Sequence, residues 1–273
     1  MYQLPGIGLE TVQAVYAGPE RLLWELLMGE QIHLGGLKSS LALAECANIQ
    51  PGTRGVDLCC CTGAGMRCLL RFRQVAAMTG VDATPAVLEL ARNRAVQEGV
   101  DGKLNFVLAN VCATGLPSAQ ADFVWGEDAW CYVVDKDALI REAVRLVKPE
   151  GTIAFTDWVA GKVAMTAEEG QRFLQFMKFP NILSLDEYVA LLRREGMDVL
   201  DAEDTLRFAP CMDLYVEMAG QQLTYDMYRI LGFDVAQAEL VGREMGFLQE
   251  LAHAGKVAQG MFVARKERGG GDS

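Results

Sequence analysis

The stretch VDLCCCTGAGMRCL, residues 56–69, decides how the rest of the chain is interpreted. It begins as a short apolar run with an acidic residue, and small residues then alternate at Cys59, Cys61, Gly63 and Gly65. In a strand–turn–helix unit, small residues at this spacing let the backbone approach a ligand and open a helix whose first amides face it. The stretch therefore predicts a nucleotide-type loop between a strand and a helix.

The composition is that of a globular protein that acts on small molecules. Of the 273 residues, 51% are hydrophobic and 22% are charged, and the formal net charge is −11. The sequence lacks the clustered Lys and Arg that bind nucleic acid, so we expect a small-molecule substrate and no nucleic-acid partner. No apolar run approaches the ~20 residues of a membrane-spanning helix. The segment MYQLPGIGLE has no basic region followed by an apolar stretch, which predicts a cytoplasmic protein with reduced thiols. We expect a monomer or a homodimer.

Short apolar runs alternate with amphipathic segments between about residues 55 and 158. Five runs are rich in Val, Ile or Phe and are bounded by Gly, Asp or Asn, as strands covered on both faces are. They read RGVDL, VAAMTGVD, LNFVLAN, ADFVWGE and TIAFTDW. Helices are predicted over 84–98, with Pro85 just inside the start, and over 135–147. The pattern predicts an α/β fold class: a Rossmann-like, seven-stranded, mostly parallel sheet with helices on both faces and a helical lid.

Acidic and amide side chains stand where the predicted strands end. Asp57 ends the first strand and Asp82 ends the second, where a carboxylate can accept hydrogen bonds from both hydroxyls of a ribose. Asn110 and Val111 end the third, where a side-chain amide and a backbone amide can read an adenine edge. Glu127 ends the fourth. Because parallel strands end at one edge of an open α/β sheet, these positions predict one adenosine site.

In this order the motifs resemble those of the class I S-adenosylmethionine-dependent methyltransferases. The family's first motif is D-x-G-x-G-T-G, and this chain has DLCCCTGAG, in which Cys59 and Cys61 replace two glycines. GVDATPAVLELAR is similar to the family's acidic second-strand end and helix, and LVKPEGTIAFTD to its LKPGG turn and fifth strand. Cysteine is small, so we expect both replaced positions to require low volume rather than a positive φ. The resemblance covers residues 30–160 and implies S-adenosylmethionine as the cofactor and S-adenosylhomocysteine as its product.

Within the class, the chain looks most like the glycine/sarcosine and phosphoethanolamine N-methyltransferases. The segments that carry this resemblance are YAGPERLLWELLMGEQIHLGG, GEDAW, TDW, SLDEYVALLRREGMDVLDAED and GMFVARK. Small natural-product methyltransferases share a similar IHLG segment.

The chain then divides into segments around one core. Residues 1–50 are interpreted as a helical N-terminal lead-in and lid, and residues 51–160 as the S-adenosylmethionine-binding Rossmann-like core. Residues 161–266 supply a substrate lid and the last two strands of the same domain. Predicted helices there are AEEGQRFLQFM, LDEYVALLRREG and AELVGREMGFLQELAH, and predicted strands are MDVLDAED and QGMFVARK. Residues 267–273 are a disordered tail by composition.

The resemblance implies which residues contact the cofactor. They are Ile32, His33, Asp57, Cys59, Cys61, Gly63, Asp82, Ala83, Asn110, Val111 and Glu127. Substrate contacts are expected from Tyr16, Asp128, Trp130, Tyr132 and Trp158. The two tryptophans can form a face for a methylated ammonium, and the alternative for both is a core position. Candidate catalytic groups, which orient the acceptor or take its proton, are Tyr16, His33, Asp128 and Tyr132. The alternatives are a packed lid residue for Tyr16 and a cap for Asp128.

The three consecutive cysteines, residues 59–61, have a metal–thiolate cluster or a redox switch as alternatives. Adjacent cysteines on a turn point their thiols in different directions. No Cys-x-x-Cys pair or neighbouring His completes a tetrahedral set, so we predict no metal site and interpret these residues as small lining for a cofactor pocket.

The resulting functional hypothesis is an enzyme that transfers a methyl group from S-adenosylmethionine to a small molecule, with an amine or amino-acid-like nitrogen as the first acceptor. A phosphobase is disfavoured because the lid has few basic candidates, namely Lys162, Lys178 and Arg207. One alternative is O- or C-methylation of an apolar natural product, which a Met- and Phe-rich lid also suits. The other is a non-catalytic protein that binds adenosine or S-adenosylmethionine. A nicotinamide enzyme would need a true G-x-G-x-x-G turn, which the loop lacks.

Overall fold

The structure is a computed structural model that describes residues 2–268. The strands are β1 (Tyr2–Gln3), β2 (Arg54–Leu58), β3 (Ala77–Asp82), β4 (Leu104–Leu108), β5 (Ala121–Glu127), β6 (Val147–Ala160), β7 (Asn181–Ile182), β8 (Met197–Asp204) and β9 (Val257–Lys266). The α-helices are α1 (Leu9–Ala17), α2 (Pro19–Met28), α3 (Gly36–Cys46), α4 (Ala64–Phe72), α5 (Pro85–Gln97), α6 (Lys136–Leu146), α7 (Ala167–Met177), α8 (Leu185–Arg194), α9 (Phe208–Gly220), α10 (Thr224–Ile230) and α11 (Val235–His253). Most of the predicted 267–273 tail lies outside the described residues.

Seven strands form one sheet in the order β4-β3-β2-β5-β6-β9-β8. The strands from β2 to β6 pair in parallel, whereas β9 runs antiparallel to both of its neighbours, β6 and β8. The predicted fold class, a Rossmann-like seven-stranded and mostly parallel sheet, is confirmed. The carboxyl ends of β2, β3, β4 and β5 lie side by side at one edge.

The helices on this sheet begin and end where their sequences dictate. α5 starts at Pro85, since proline fits the first helical position and lacks an N–H that would go unbonded there. α6 starts after Asp135, whose carboxylate accepts a hydrogen bond from a first-turn amide at 2.8 Å. Its end falls one residue before the predicted one, because Val147 pairs with Ala121 as the first residue of β6.

Helices α7 and α8 both begin with a capping box, formed by Thr166 with Glu169 and by Ser184 with Glu187. The sequence patterns predicted these two helices, α11 and strands β8 and β9. They did not predict α9, α10 or the small antiparallel pairing of β1 with β7.

Apolar clusters cover both faces of the sheet and fill the lid. On one face, α6 and α8 pack on residues such as Phe155. On the other face, Leu43 of α3 packs with Met66 and Phe123, so this helix of the lead-in belongs to the sheet layer. A third cluster around Phe173 joins the lid helices. The parts of the lead-in that remain free to cover the sheet edge are α1, α2 and the loop before α3.

The length and the apolar character of a helix decide whether it can cross a membrane. Among residues 2–268, no helix has both the length and the apolar character that crossing a membrane requires.

Candidate functional site

A cavity of about 340 Å³ lies at the carboxyl edge of the parallel strands. Its wall comes from the loops after β2, β3, β4 and β5 and, from the lead-in, α1 and residues 30–33. The predicted site residues on this wall are Tyr16, Ile32, His33, Asp57, Cys59, Cys61, Asp82, Ala83, Asn110, Val111, Glu127, Asp128 and Tyr132. The structure therefore brings together residues from six separate segments of the chain.

The loop after β2 bends around the cavity through left-handed backbone at alternate positions. The φ angle is 64° at Cys59, 46° at Cys61 and 72° at Gly63. The expectation that both cysteines answer a requirement for low volume rather than positive φ is wrong, because the bend itself requires the left-handed conformation there. The amides of Cys59 and Cys60 both donate to the carbonyl of Val81, at 2.9 and 3.1 Å, and hold the loop against β3.

The thiols of this loop are protonated, and Cys60 is buried while Cys59 and Cys61 are partly buried. Burial, followed by the nearby charge of Asp82, raises the pKa values of Cys59, Cys60 and Cys61. Thiolates are the reactive form of cysteine, so these side chains act as small apolar lining. Within residues 2–268, no three His, Cys, Asp or Glu side chains are grouped to hold a metal ion, and the cysteines are all free.

The two glycines of the loop have different roles. Gly63 is not on the cavity wall, contrary to its predicted cofactor contact: a Cβ there would press on the Phe106 ring at 3.1 Å, at the junction between α4 and the sheet. Gly65 does line the cavity, and a Cβ there would collide with the Glu127 carboxylate. Gly65, which the prediction left out, therefore keeps the space in front of that carboxylate open.

Asp82 organises the rim of the cavity. One carboxylate oxygen accepts a hydrogen bond from the amide of Cys61 at 3.0 Å, and the other accepts from the amide of Thr84 at 2.9 Å. Each oxygen keeps a further lone pair for a ligand hydroxyl. Burial raises the pKa of Asp82, although these hydrogen bonds oppose the shift.

The cavity wall carries a surplus of negative charge. Burial, followed by the charges of Glu127 and Asp82, raises the pKa of Asp57 well above its usual range. Oε1 of Glu127 is buried and, among the described residues, has no hydrogen-bond partner, although Nε2 of His33 lies 3.3 Å away. Lys and Arg are absent from the described residues that line the cavity. A cationic ligand with N–H donors would satisfy this arrangement.

The lead-in is clamped over the site at Leu34. Its amide donates to Oδ2 of Asp128 at 2.8 Å, and its carbonyl accepts from the Gln259 amide at 3.3 Å. Gln259 also donates to both oxygens of Asp128, at 3.0 and 2.8 Å. The predicted catalytic carboxylate of Asp128 thus holds the lid segment, together with Gln259, a residue of the site that no sequence pattern indicated.

The imidazole of His33 is hydrogen-bonded within its own segment, the lead-in. Its Nε2 lies 3.1 Å from Oγ of Ser40, and its Nδ1 lies 3.4 Å from the Leu34 carbonyl. Both ring nitrogens therefore have partners within the lead-in. The imidazole is buried on the cavity wall as a shaping and orienting group.

Tyr16 and Tyr132 meet across the cavity. Their rings pack edge to face with centroids 5.3 Å apart, and Tyr132 also packs edge to face on Phe179 at 4.7 Å. Burial is the main cause that raises the pKa of each phenol, so both stay neutral at physiological pH. Leu9 and Val12 join Tyr16 on the same wall, and their i, i+3, i+7 spacing on α1 is a signal that would have found them.

Trp130 and Trp158 are not on the cavity wall, contrary to the predicted face for a methylated ammonium. Trp130 is fully buried, stacks on Phe155 at 4.1 Å and donates from its indole N–H to the Leu58 carbonyl at 3.2 Å. Trp158 packs edge to face on Phe208 at 4.7 Å in the lid cluster. Both occupy the core positions that were their alternative.

The end of the cavity where the sequence predicts the adenine contacts is formed after β3 and β4. Asn110 is exposed, and its side-chain oxygen accepts from the Cys112 amide at 2.9 Å, which leaves its NH₂ group available. Val111 beside it is buried. The Ala83 carbonyl accepts from the side chain of Gln13 at 2.7 Å, so α1 is tied to the rim here.

The fold and the order of the strand-end residues are consistent with a class I S-adenosylmethionine-dependent methyltransferase. Residues 56–155 match the family model described as a methyltransferase domain. The class and cofactor predicted from the motifs are confirmed at this level.

Proteins similar in sequence are methyltransferases, but they do not identify the methyl acceptor of this chain. The chain is similar to methyltransferase GfsG of Streptomyces halstedii, with 29% identity over 175 residues that span 62% of this chain and 61% of that protein. It is also similar to the 27-O-demethylrifamycin SV methyltransferase of Amycolatopsis mediterranei (strain S699), with 27% identity over 200 residues that span 68% of this chain and 73% of the relative.

Solved structures share the fold over nearly the whole chain. A putative sarcosine dimethylglycine methyltransferase from Galdieria sulphuraria superposes with a TM-score of 0.79 at 21% identity, covering 91% of this chain and 98% of that one. A phosphoethanolamine N-methyltransferase 2 of Haemonchus contortus, in complex with phosphomonomethylethanolamine and S-adenosylhomocysteine, gives 0.80 at 18% identity, covering 95% and 58%.

Proposed function

We propose that this protein transfers the methyl group of S-adenosylmethionine to an oxygen of a largely apolar small molecule. The observation that carries the choice of acceptor is the wall of apolar side chains and neutral phenols, without Lys or Arg, on the side of the cavity that faces α1. The cofactor and the acceptor are argued separately below.

The cofactor fits the acidic part of the cavity. S-adenosylmethionine carries a sulfonium and an ammonium charge, and the unpartnered Oε1 of Glu127 with the neighbouring Asp57 supplies the complement. Asp82 has lone pairs left for the ribose hydroxyls, and Asn110 has a free NH₂ for the adenine. The cavity's about 340 Å³ leaves little room for a bulky acceptor beside it.

The acceptor side is built from α1 and the turn after β5. Leu9, Val12 and Tyr16 face Tyr132 and Val133 across it. These side chains offer apolar surface and two neutral phenols, and they offer no cation for a phosphate or carboxylate group. Such a wall favours an apolar body that presents one polar atom.

A second cavity gives room for that body. It measures about 840 Å³ and lies between α1, α2, α7, α10 and α11. α1 separates the two spaces, because Val12 and Tyr16 line the first while Ala14 and Val15 line the second. We place the bulk of the acceptor in this lid cavity, with its reacting atom reaching past the end of α1, where Gly18 follows the helix.

The residues on the wall suit a reaction that needs alignment more than acid–base chemistry. When bound, S-adenosylmethionine supplies an activated methyl group for in-line displacement. The Tyr16 and Tyr132 phenols can donate hydrogen bonds to the acceptor atom, but their raised pKa values make them poor bases. The best acceptor is therefore an oxygen that is nucleophilic without a strong base, such as a phenol or an enol, which releases its proton to solvent.

One relative supports an oxygen acceptor by name, since the similar Amycolatopsis enzyme is a 27-O-demethylrifamycin SV methyltransferase. The second candidate function is the amine methylation expected from the sequence. The specific observation in its favour is the surplus of carboxylates on the wall, which would attract an ammonium group.

A panel of acceptors tests the proposal. Formation of S-adenosylhomocysteine and of methylated product is measured by mass spectrometry with polycyclic phenols and enols, with glycine, sarcosine and ethanolamine, and with phosphoethanolamine. Turnover of an apolar phenol or enol is expected. Turnover of the small amines alone would replace this proposal by the second candidate, and binding of S-adenosylmethionine without any turnover would favour a binding protein.

A matched pair of variants tests the lid cavity. Ala14→Trp fills the second cavity from the face of α1 that points away from the cofactor, and the affinity for S-adenosylmethionine should stay unchanged. The KM for the apolar acceptor should rise roughly tenfold or more, since the body of the acceptor loses its space. Ala236→Trp makes the same substitution at an exposed position of α11 that does not line either cavity, and it should leave KM unchanged.

A further inference from the structure

Two buried side chains of opposite charge, Lys136 and Asp157, lie beneath the turn that carries Tyr132. Each bonds to the turn separately, and the two act on each other through their charges. Lys136 is 4% exposed and Asp157 is completely buried. Neither side chain lines the cofactor cavity or the lid cavity, so neither can touch a ligand there.

Every polar atom of the pair has a partner, and most partners belong to the Tyr132 turn, residues 128–134. Nζ of Lys136 donates to the Cys131 carbonyl at 3.2 Å, the Val133 carbonyl at 2.5 Å and the Asn181 side chain at 2.8 Å. Oδ1 of Asp157 accepts from the Cys131 amide at 2.9 Å. Its Oδ2 accepts from the Tyr188 hydroxyl at 2.6 Å.

The two carbonyls that Lys136 holds flank Tyr132 on both sides. Burying two charges is unfavourable even when they are opposite in sign, and apolar side chains of similar size often leave stability unchanged or raise it. We therefore expect the two side chains to matter chiefly because they fix one backbone conformation of the Tyr132 turn. Without them, the turn would have unbonded carbonyls facing the apolar layer under α6.

We propose that Lys136 and Asp157 are positioning residues that hold the Tyr132 phenol in place against the acceptor. The proposal rests on the proposed function, because Tyr132 matters only if an acceptor binds beside it. It assigns a role in the proposed reaction to two residues that do not contact the substrate.

We expect the same two residues to make the activity fall at low pH. Burial raises the pKa of Asp157 to about 6, against the opposing charge of Lys136, while burial lowers the pKa of Lys136. The groups that face Asp157 from the elements around it are Lys136 of α6, Tyr188 of α8, Asp128 and Cys131 of the turn, and Cys59 of the loop after β2. Protonation of Asp157 would leave the Lys136 ammonium without its countercharge and loosen the turn.

The direction of the Asp157 pKa shift distinguishes this loss of activity at low pH from unfolding. A carboxyl whose pKa is raised in the folded state favours folding below its unfolded pKa and loses that contribution as the pH rises through about 6. This group therefore does not lower stability when the pH falls through 6. We expect kcat to fall on that acid limb while Tm does not fall with it.

The test uses Lys136→Met, Asp157→Asn and the double variant in the full-length protein. Lys136→Met should lower kcat roughly tenfold with the Kd for S-adenosylmethionine within about twofold. The double variant should regain thermal stability, because both charges leave together, but it should not regain kcat. Asp157→Asn should remove the acid limb near pH 6. Recovery of kcat together with stability in the double variant would overturn the proposal and leave a purely structural role.

Two further measurements complete the test. In a Tyr132→Phe background, Lys136→Met should cause little additional loss of kcat, and an undiminished further loss would contradict action through Tyr132. Hydrogen exchange of the amides at 130–134 should speed up in Lys136→Met but not in the surface control Lys148→Met, whose ammonium pairs with Asp122 at 2.6 Å. Exchange needs no acceptor, so it still tests the pair if the proposed reaction itself fails.

Discussion

Cys59 and Cys61 hold left-handed backbone at positions where the related motif has glycine. A side chain in that conformation costs on the order of 1 kcal/mol per residue. We therefore predict that Cys59→Gly and Cys61→Gly each raise the free energy of unfolding by up to about 1 kcal/mol, less the entropy that glycine adds to the unfolded chain. Urea denaturation measures the change, and calorimetry should find S-adenosylmethionine bound within a few-fold of its original Kd.

Cys60 supplies the control, because it lies between them, is buried and has no positive φ. Cys60→Gly should lower the free energy of unfolding, since it removes a packed side chain and adds backbone freedom. If all three variants change stability in the same direction, backbone conformation is not the cause.

Asp82 is the residue on which cofactor affinity should depend most. Its carboxylate holds the Cys61 amide and keeps lone pairs for two ligand hydroxyls. Asp82→Ala should weaken S-adenosylmethionine binding roughly 10- to 100-fold, as expected for losing hydrogen bonds to a charged group. Calorimetry measures Kd, and Asp198→Ala, an exposed carboxylate on β8, should leave it unchanged. Unaltered affinity in Asp82→Ala would remove Asp82 from the site.

At the scale of elements, Arg67 of α4 ties the lead-in to the cofactor loop. It is buried and donates to the Thr62 carbonyl at 2.6 Å, to Glu98 at 2.5 Å and to Glu30 at 2.7 Å. Its loss frees the loop and the segment before His33 together.

Arg67→Met should therefore lower the free energy of unfolding by about 1–3 kcal/mol and speed proteolysis between α2 and α3. Limited proteolysis with and without S-adenosylhomocysteine measures the second effect. Arg172→Met breaks a half-exposed pair with Glu244 in the lid and should change stability by less than about 1 kcal/mol. Equal proteolysis in the two variants would show that Arg67 does not anchor the lead-in.

Predictability from sequence varies with the element. The parallel strands were predicted because strands buried on both faces are short apolar runs between turn residues. α9 was missed because FAPCMDLYVEMAG is apolar over most of its length and shows no clear stripe, and α10 was missed because it spans only seven residues. Both lie in the lid, where helices bury different faces against one another.

The residues of the site also differ in how well the sequence predicts them. Asp57, Asp82 and Glu127 were predictable, because the end of a parallel strand fixes its place at the sheet edge. The directions of side chains beyond that edge depend on how each turn closes. For this reason Trp130, which follows the end of β5, and Trp158, which lies inside β6, turned out to lie in the core.

At the scale of the whole molecule, the acidic cavity sets the pH dependence of stability. Burial raises the pKa values of Asp57, Asp82 and Asp128, so their ionisation costs folding free energy as the pH rises from their unfolded values near 4. We predict that the Tm of the ligand-free protein falls as the pH rises above about 4, and that the increase in Tm caused by S-adenosylmethionine grows over the same range.

Asp57→Asn tests this origin, because it removes one buried charge with little change of shape. At pH 8 it should raise the Tm of the ligand-free protein by roughly 2–4 °C, the shift that about 1 kcal/mol produces in a chain of this size. At pH 4, near the pKa of the carboxyl in the unfolded chain, the gain should be smaller, and differential scanning calorimetry measures both. A gain that does not depend on pH would point to packing instead of charge.

The position of β9 in the sheet has a consequence for biosynthesis. This strand inserts between β6 and β8, and its Gln259 completes a clamp on Leu34, from which it is separated by 225 positions. While the ribosome is still translating, the nascent polypeptide has its nucleotide-binding half, an open edge on β6 and a lead-in that lacks the Gln259 part of its clamp. Newly made chains therefore expose the backbone groups of that edge until residue 259 has emerged, and an exposed strand edge can pair with another chain.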